Sequence, residues 1–568
     1  MVEGQAAGMT QAYQFKPHER PVIPGSPFNP DHPTRRMWAY GAIGVLAGIT
    51  GGLGNALVTS NLAFFQGTLG LTAEEAAWIP AAYVMTNVCS NLLLVKFRQQ
   101  FGLALFVRLV LVGYVLTALV HLFVHGFWSA LLVRAVSGIA GAGLTTLCIL
   151  AMFQAMPGPK RLYAILLGIS IPQLANPLAR ALAPGLLEWG DWRMGYIFEL
   201  GLALLTLAAV LILPLPPSER SKSFCRTDFI TVGLLFPGIV LLCAALGLGR
   251  TLWWTEAPWI GWALIGSIVL ITAGIIVEHR RANPLLQTRW LSQWVIIRIA
   301  VIALFIRILL AEQSVGSIGL LSSLGMGVDQ FQTLYIIVTL AALAGLGTAI
   351  FAFQPQYPAR LIQIACLLIA VGAFLDSGAT NLTRPQNVYL SQALVGFGAL
   401  LFIGPAMGIG ISRTLLAGPQ NFISWIVLFS STQNLGNLIG SAVFGTFQTV
   451  REKFHSHSLV EQILLTNPED AASLTRSAHQ VDAVVSDPAL RTAEGVLLLG
   501  RQVTREANIL AYNDMFLAIA ILALLLLLWG ITIEIRMRQR GEISPIVLLA
   551  QRLAAMTAAA QNEGQAAS

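Results

Sequence analysis

In a chain of 568 residues, 56% are hydrophobic and only 11% charged, with a mean hydropathy of +0.71, against ~25% charged residues in soluble globular domains. That balance excludes a soluble globular fold and predicts an all-α polytopic membrane protein, with most Leu, Ile and Phe facing lipid or neighbouring helices. The net charge of +7 does not point to nucleic acid, because the basic residues are scattered through short loops between apolar segments, where the positive-inside bias accounts for them.

Residues 1–36 are polar, Pro-rich and basic (Lys16, Arg20, Arg35, Arg36) and lack the apolar core and cleavage site of a signal peptide, so they read as a cytoplasmic tail. Apolar segments long enough to span a bilayer follow at 37–65, 78–95, 103–123, 129–152, 162–187 and 195–213, giving six spans within residues 37–213. A stretch at 214–294 holds a basic cytoplasmic linker and two more spans, 229–248 and 260–277. Residues 295–531 carry the last six, at 295–320, 332–353, 360–375, 388–412, 422–447 and 512–531, which makes fourteen. Residues 532–568 form a cytoplasmic tail in which 546–556 has the pattern of an amphipathic helix on the inner leaflet.

Charge supplies the orientation. Lys96, Arg98, Lys160, Arg161, Arg220 to Arg226, Arg280, Arg281, Arg360, Arg413, Arg536, Arg538 and Arg540 all fall on the side of the N-terminus. Glu74, Glu75, Glu188, Asp191, Glu256 and Asp329 fall on the other. Both termini are therefore expected in the cytoplasm. The polar insert at 451–511, between the last two spans, then faces outward. Within it, Asp487-Pro488 is a helix start, an acidic N-cap followed by Pro at the first helical position. The helix that begins there is predicted to run into the final span and to project ~35 Å, with Gly495 and Gly500 as candidate kinks. A connection of this length suggests a docking surface for a partner; the plain alternative is a loop that only joins two spans.

Ionisable groups inside the spans are costly and so are candidates for function. They are Arg134, Arg180, Glu199, Arg307 and Glu312, expected to meet across one cavity. Glu312 is the carboxylate chosen to carry a proton, the alternative being that it only neutralises Arg307 or Arg134. Arg180 and Arg307 have the chemistry to bind a carboxylate or phosphate bidentately, unless Glu199 and Glu312 pair with them. The cargo is accordingly expected to include amphipathic anions such as aromatic or fatty acids. Asn176, Gln433 and Asn437, with Gln173 and Asn434, lie in helices rich in small residues and either pack helices or touch substrate.

His455 and His457 have metal-like spacing but no third ligand nearby, so they read as surface residues and no metal is expected. No phosphate-binding Gly-Lys-Ser/Thr loop is present, which argues against ATP as the energy source, and no cofactor is implied. The five cysteines, Cys89, Cys148, Cys225, Cys243 and Cys366, lie in or beside spans and imply no disulfide framework.

The run Phe429-Ser-Ser-Thr-Gln433-Asn-Leu-Gly436-Asn-Leu-Ile-Gly440-Ser-Ala resembles the Gly-rich thirteenth span of the fourteen-span drug:proton antiporters of the major facilitator superfamily. Arg451-Glu-Lys-Phe-His455-Ser-His457-Ser-Leu459 and Leu510-Ala-Tyr512-Asn-Asp514-Met-Phe516 resemble the EmrB-like efflux pumps in particular. Trp78-Ile-Pro-Ala-Ala-Tyr83, Arg134-Ala-Val-Ser-Gly138-Ile-Ala-Gly141 and Asp191-Trp192-Arg193 agree with the superfamily. The resemblance implies two six-helix bundles, each a pair of inverted three-helix repeats, with spans seven and eight inserted between them and substrate bound near mid-membrane. It also implies proton-driven efflux of amphipathic drugs or toxic compounds across the bacterial inner membrane, with Arg134 matching the span-four arginine implicated in proton transfer.

A periplasmic membrane-fusion adaptor and an outer-membrane channel would be the partners, docking around Arg451, His455, His457, Leu459, Tyr512 and Asp514. Three departures stand out. Gln99 occupies the place of the acid expected in the loop after span two; span five reads Ala175-Asn176-Pro177 where Gly-Pro is usual; span one offers Asn55 and Asn61 where an Asp is usual. Alternative readings are a uniporter or importer of small organic acids and, from another class, a non-transporting membrane scaffold or sensor.

Overall fold

The computed structural model describes residues 25–156, 161–188, 192–220, 222–281, 283–464, 466–552 and 554–555; Lys160, Asp191, residues 1–24 of the expected N-terminal tail and 556–568 of the C-terminal one lie outside them. Apart from one isolated bridge between Pro27 and Ser218, the described secondary structure is helical. The first group of helices comprises α1 (Thr34–Ser60), the short α2 (Leu62–Thr68), α3 (Ala73–Phe101), α4 (Leu103–His121), α5 (Phe127–Ala155), α6 (Arg161–Ser170), α7 (Ala175–Glu188) and α8 (Arg193–Ile212). Between α6 and α7 the chain tightens into a 3-10 turn, Ile171–Leu174, opened by Pro172, which has no N–H for an α-helical bond. α9 (Arg226–Leu248), α10 (Pro258–Arg280) and the single turn α11 (Thr288–Leu291) come next.

The last group begins with α12 (Trp294–Leu309), which continues through a π-helical turn, Glu312–Ser317, into α13 (Ile318–Ser323). α14 (Gln332–Phe351), α15 (Ala359–Asp376), α16 (Tyr389–Leu401) and α17 (Ile403–Ala417) follow, the last pair broken at Phe402 because Pro405 leaves the Leu401 carbonyl without a donor. α18 (Phe422–Gln462), α19 (Pro468–His479) and α20 (Pro488–Gln539) complete the chain.

Thirteen helical segments among the described residues are long and apolar enough to cross a membrane. The fourteenth expected span lies in α18, which falls short of that apolarity because Gln433, Asn434 and Asn437 interrupt it. It packs nonetheless against α12, α20, α3 and α9, all of them among the thirteen.

In the first group α1 packs on α5, α7 and α8, and α4 on α5 and α8; in the last, α14 packs on α16, α15 on α16 and α20, and α18 on α12 and α20. The groups meet along α3 with α18, α6 with α17 and α7 with α14. The inserted α9 and α10 lie against one another, with α9 also on α3 and α18.

The polar insert is a helical hairpin rather than a loop. α18 continues to Gln462, and α20 runs without interruption for 52 residues from its N-cap Asp487, whose carboxylate accepts from Ala489 N at 2.8 Å. Gly495 does not kink it: a Cβ there would lie 2.9 Å from Ala478, so this glycine lets α19 lie close against α20. Beyond α19, hydrogen bonds from His479 and from Arg491 hold the exposed Asp482 carboxyl below its ordinary range. A depressed carboxyl contributes above its unfolded pKa, so this tie loosens only as pH falls through the lowered value.

At the opposite face, where α1 begins, Lys96 of α3 bonds Asp228 of α9 at 2.8 Å. Arg281 bonds both Asp228 and Glu278, two carboxylates only 1% exposed. An acid from the inserted helices thus pairs with Lys96, three residues before Gln99. The tail residue Phe28 donates its N–H to Pro217 O at 2.9 Å. Just before and within the segment expected on the inner leaflet, Ser544 donates to Pro355 O at 2.6 Å and Arg552 to Leu416 O, at the end of α17, at 3.0 Å.

Candidate functional site

Between the two groups lies a cavity of about 540 Å³, bounded by residues of α1, α3, α7, α9, α12 and α18 among others. Its polar wall follows from the helices that meet there. Amide side chains in a helix surrounded by lipid and neighbours gain by turning toward each other or toward water. Asn434 of α18 accordingly donates to Asn87 of α3 at 3.1 Å, and Asn87 donates to Gly138 O at 3.1 Å. All five residues assigned from the sequence to substrate, Asn176, Arg180, Arg307, Gln433 and Asn437, line this one space.

The electrostatics of the cavity are one-sided. Arg180, Arg250 and Arg307 line it, and among the described residues no Asp or Glu does. Arg307 donates from Nε to Gln433 O at 3.3 Å, the Arg180 guanidinium sits 5.4 Å over the Tyr335 ring, and Arg250 donates to Gln448 Oε1 at 3.3 Å. Among the described residues none of the three forms an ion pair, so the alternative in which Glu199 and Glu312 neutralise Arg180 and Arg307 is not what the structure shows. Arg250 escaped the sequence reading because, two residues past the end of α9, it resembles an ordinary boundary arginine reaching for water.

Arg134, Glu199 and Glu312 do not reach the cavity. Arg134, 1% exposed, lies directly behind two lining residues: its Nη2 donates to Asn55 Oδ1 at 2.6 Å and its guanidinium sits 4.7 Å over Tyr83. Its Nη1 donates to Gly54 O at 2.9 Å, while Glu199 accepts from Tyr114 at 2.7 Å. The physical reason is close helix packing. A Cβ on Gly54 would lie 2.2 Å from the Tyr114 hydroxyl and 2.5 Å from Glu199 Oε1, so α1 comes near enough for these long side chains to end on its backbone.

Gly54→Ala is expected to cost about 1–3 kcal/mol through overpacking, read as a lower melting temperature of the purified protein in detergent. A melting temperature equal to that of the parent would contradict this packing account.

Glu312 has no arginine beside it. Its Oε1 accepts from Gln392 Nε2 at 2.7 Å, and the same nitrogen donates to Asp376 Oδ2 at 2.7 Å, while Ser391 bonds the other Asp376 oxygen. The π-helical turn sets this direction: Glu312 faces inward among helices while its neighbours Gln313 and Ser314 line the cavity.

The residues expected to dock a partner divide. Asp514 lies 2.6 Å from both Arg451 Nε and His455 Nε2, joining α20 to α18, and Tyr512 is buried with its ring against Gly319. Arg451, His455 and Asp514 thus tie the two arms of the hairpin, while Tyr512 packs α20 on α13. His457, exposed and 3.2 Å from Glu461, and the half-buried Leu459 remain at the surface. Asp514→Ala is expected to cost no more than about 1 kcal/mol, since the pair is a third exposed. The readout is faster proteolysis within the hairpin at unchanged bundle stability, and unchanged proteolysis would show that the pair does not hold α20 to α18.

Comparison with known proteins places this geometry. The chain is 22% identical over 488 residues to the fatty acid resistance protein FarB of Neisseria gonorrhoeae, covering 81% of this chain and 89% of that one. It is 22% identical over 435 residues to the MFS transporter L2 of Phoma sp., covering 72% and 69%. Among solved structures it resembles the human organic anion transporter MFSD10 (TETRAN), with TM-score 0.50 at 15% identity over 87% of this chain and 100% of that one. A peptide transporter POT in complex with sulfate gives TM-score 0.54 at 15% identity over 92% and 98%. At these identities the structural likeness concerns the fold. Residues 44–441 match the Major Facilitator Superfamily, and the chain belongs to that superfamily of membrane transporters.

Proposed function

We propose that the protein exports amphipathic organic anions, fatty carboxylates foremost, in exchange for protons. The observation that carries this reading is the cavity wall, which among the described residues has three arginines and no carboxylate. A guanidinium held inside a membrane protein without an acid partner is costly, and an incoming carboxylate offsets that cost with bidentate, charge-assisted bonds. Phe429, Ile426 and Leu438 of the same wall give an alkyl or aromatic tail an apolar surface. The name of the gonococcal relative, a fatty acid resistance protein, supports the same cargo class.

Glu312 and Arg134 are the groups through which protons act, both buried one layer behind cavity-lining residues. The chain is a member of the fourteen-span, EmrB-like branch. Residues 37–213 and 295–531 form its two bundles, which rock about the site, and residues 214–294 are inserted between them. Both termini lie in the cytoplasm of a bacterium. The hairpin stands on the periplasmic side of the inner membrane, where it meets a membrane-fusion adaptor and, through it, an outer-membrane channel.

The test is counterflow of radiolabelled decanoate in proteoliposomes with an imposed pH gradient. Accumulation against the decanoate gradient, abolished by a proton ionophore, supports exchange. Downhill flux indifferent to the ionophore would make the protein a uniporter, and no flux above protein-free vesicles would overturn transport of this class altogether.

A further inference from the structure

We propose that Asp376 and Glu312 form a single proton-binding site, bridged by Gln392, in which the two carboxyl groups share the transported proton. This deepens the proton-exchange reading above and rests on it. Glu312, Asp376 and Gln392 come from three different elements, the π-helical turn after α12, the end of α15 and the first turns of α16. They are 0%, 3% and 1% exposed. The Gln392 amide nitrogen has two hydrogens and gives one to each acid, at 2.7 Å in both cases. Ser391 donates to the remaining Asp376 oxygen, whereas Glu312 Oε2 is buried with no hydrogen-bond partner among the described residues.

Two carboxylates bonded to one nitrogen lie too close to be charged together in a water-free interior. No Lys, Arg or His comes within ion-pair distance of either among the described residues. The titratable side chains nearest the pair are Tyr335 of α14, whose hydroxyl donates to Gln313 O at 3.3 Å, and beyond its ring Arg180 of α7. α20 brings Met515 and Phe516 against Gly316, with Tyr512 one turn away against Gly319, and α18 brings Gly440 against Ile308 and Ala311. With one proton the pair carries a single charge, which the Gln392 and Ser391 hydrogens satisfy, and a proton on Glu312 removes the charge from the side that has the orphaned oxygen. Loss of that proton therefore forces the two carboxylates apart, and Gln392 keeps only one of its acceptors.

The link to cargo is covalent and short. Gln313, next in sequence to Glu312, lines the cavity and donates to Gln392 O at 3.3 Å. A change of charge on the pair therefore acts on a cavity-lining side chain through one backbone bond and one hydrogen bond. A π-helical turn holds one residue more than an α-turn, so its closure or release re-aims the residues before it.

The experiment follows the carboxylic-acid C=O band by infrared titration of the purified, ligand-free protein, for the parent, Glu312→Gln, Asp376→Asn and Asp376→Glu. In the parent a buried carboxylic-acid band persists at neutral pH. Each amide substitution removes one acid and moves the titration of the other downward by about one pH unit or more, because the neighbouring charge is gone. Asp376→Glu restores the band. In proteoliposomes Glu312→Gln and Asp376→Asn each lower gradient-driven decanoate accumulation about tenfold or more, and the double variant is no worse than either alone.

A parent with no carboxylic-acid band near neutral pH overturns the proposal. So does a Glu312→Gln protein in which Asp376 titrates unchanged. If the band behaves as described but the parent moves no decanoate against its gradient, the acid pair stands and the transport reading falls; gradient-driven transport retained in Asp376→Asn gives the reverse.

Discussion

Replacing Arg307 by Gln is expected to weaken the proposed binding of decanoate about 10- to 100-fold. The figure follows from losing charge-assisted bonds of about 1.5–3 kcal/mol while keeping a polar side chain of similar reach. Arg307 holds its place through a single bond to the Gln433 carbonyl, leaving the rest of its guanidinium fork to meet a ligand. Arg307→Lys recovers only part of the loss, since an ammonium offers a point charge and not a planar pair of donors. Arg180→Gln is expected to act in the same direction, more weakly, because its guanidinium already rests over Tyr335. Isothermal titration of the detergent-solubilised protein reads these values. An affinity within twofold of the parent in the double variant Arg180→Gln, Arg307→Gln would end the assignment of this cavity to anions.

The largest loss of stability is expected at the other face of the bundle. Asp228→Ala leaves Lys96 without its carboxylate and Arg281 with Glu278 alone, in a place where the lost acid was 1% exposed. Breaking one side of a buried charge cluster in this way costs about 3–5 kcal/mol, far more than the cluster's net contribution. The same substitution removes the carboxylate that accepts from Cys225 N at the start of α9. A steep fall in melting temperature or in yield is the expected outcome. Lys96→Met combined with Asp228→Leu should recover part of it, because the dehydrated charges leave together. A single Asp228→Ala variant as stable as the parent would show that the inserted helices are not anchored here.

What could be read from the sequence was the part of the problem that lipid dictates. Hydropathy located the long helices, because an apolar run of about 20 residues has few other fates, and α20 announced its start through Asp487-Pro488. Polar residues such as Asn176, Arg180 and Asn437 stood out as candidates because nothing but a cavity or a partner helix suits them. The direction in which a side chain points was harder. Glu312 and Gln313 are adjacent, yet one is sealed among helices and the other lines the cavity, a division set by a π-helical turn that leaves no simple pattern in the residues.

Asp376 lies one residue past the expected span at 360–375 and did not stand out there; only the return of α16 beside α15 brings Gln392 onto it. Arg134 and Glu199 were expected in the open cavity because their depth was right. Depth follows from counting residues, whereas rotation about the helix axis depends on which glycines let neighbours close in, as Gly54 does.

The uninterrupted α20 has a mechanical corollary. Its first 24 or so residues extend about 36 Å beyond the last span, and no break separates that rod from side chains such as Met515 and Phe516 that touch the π-helical turn. A swivel of about 10° within the bilayer therefore sweeps the tip of the rod through roughly 6 Å. Any protein seated there would be pushed and pulled in step with each turnover, as by the arm of a crank.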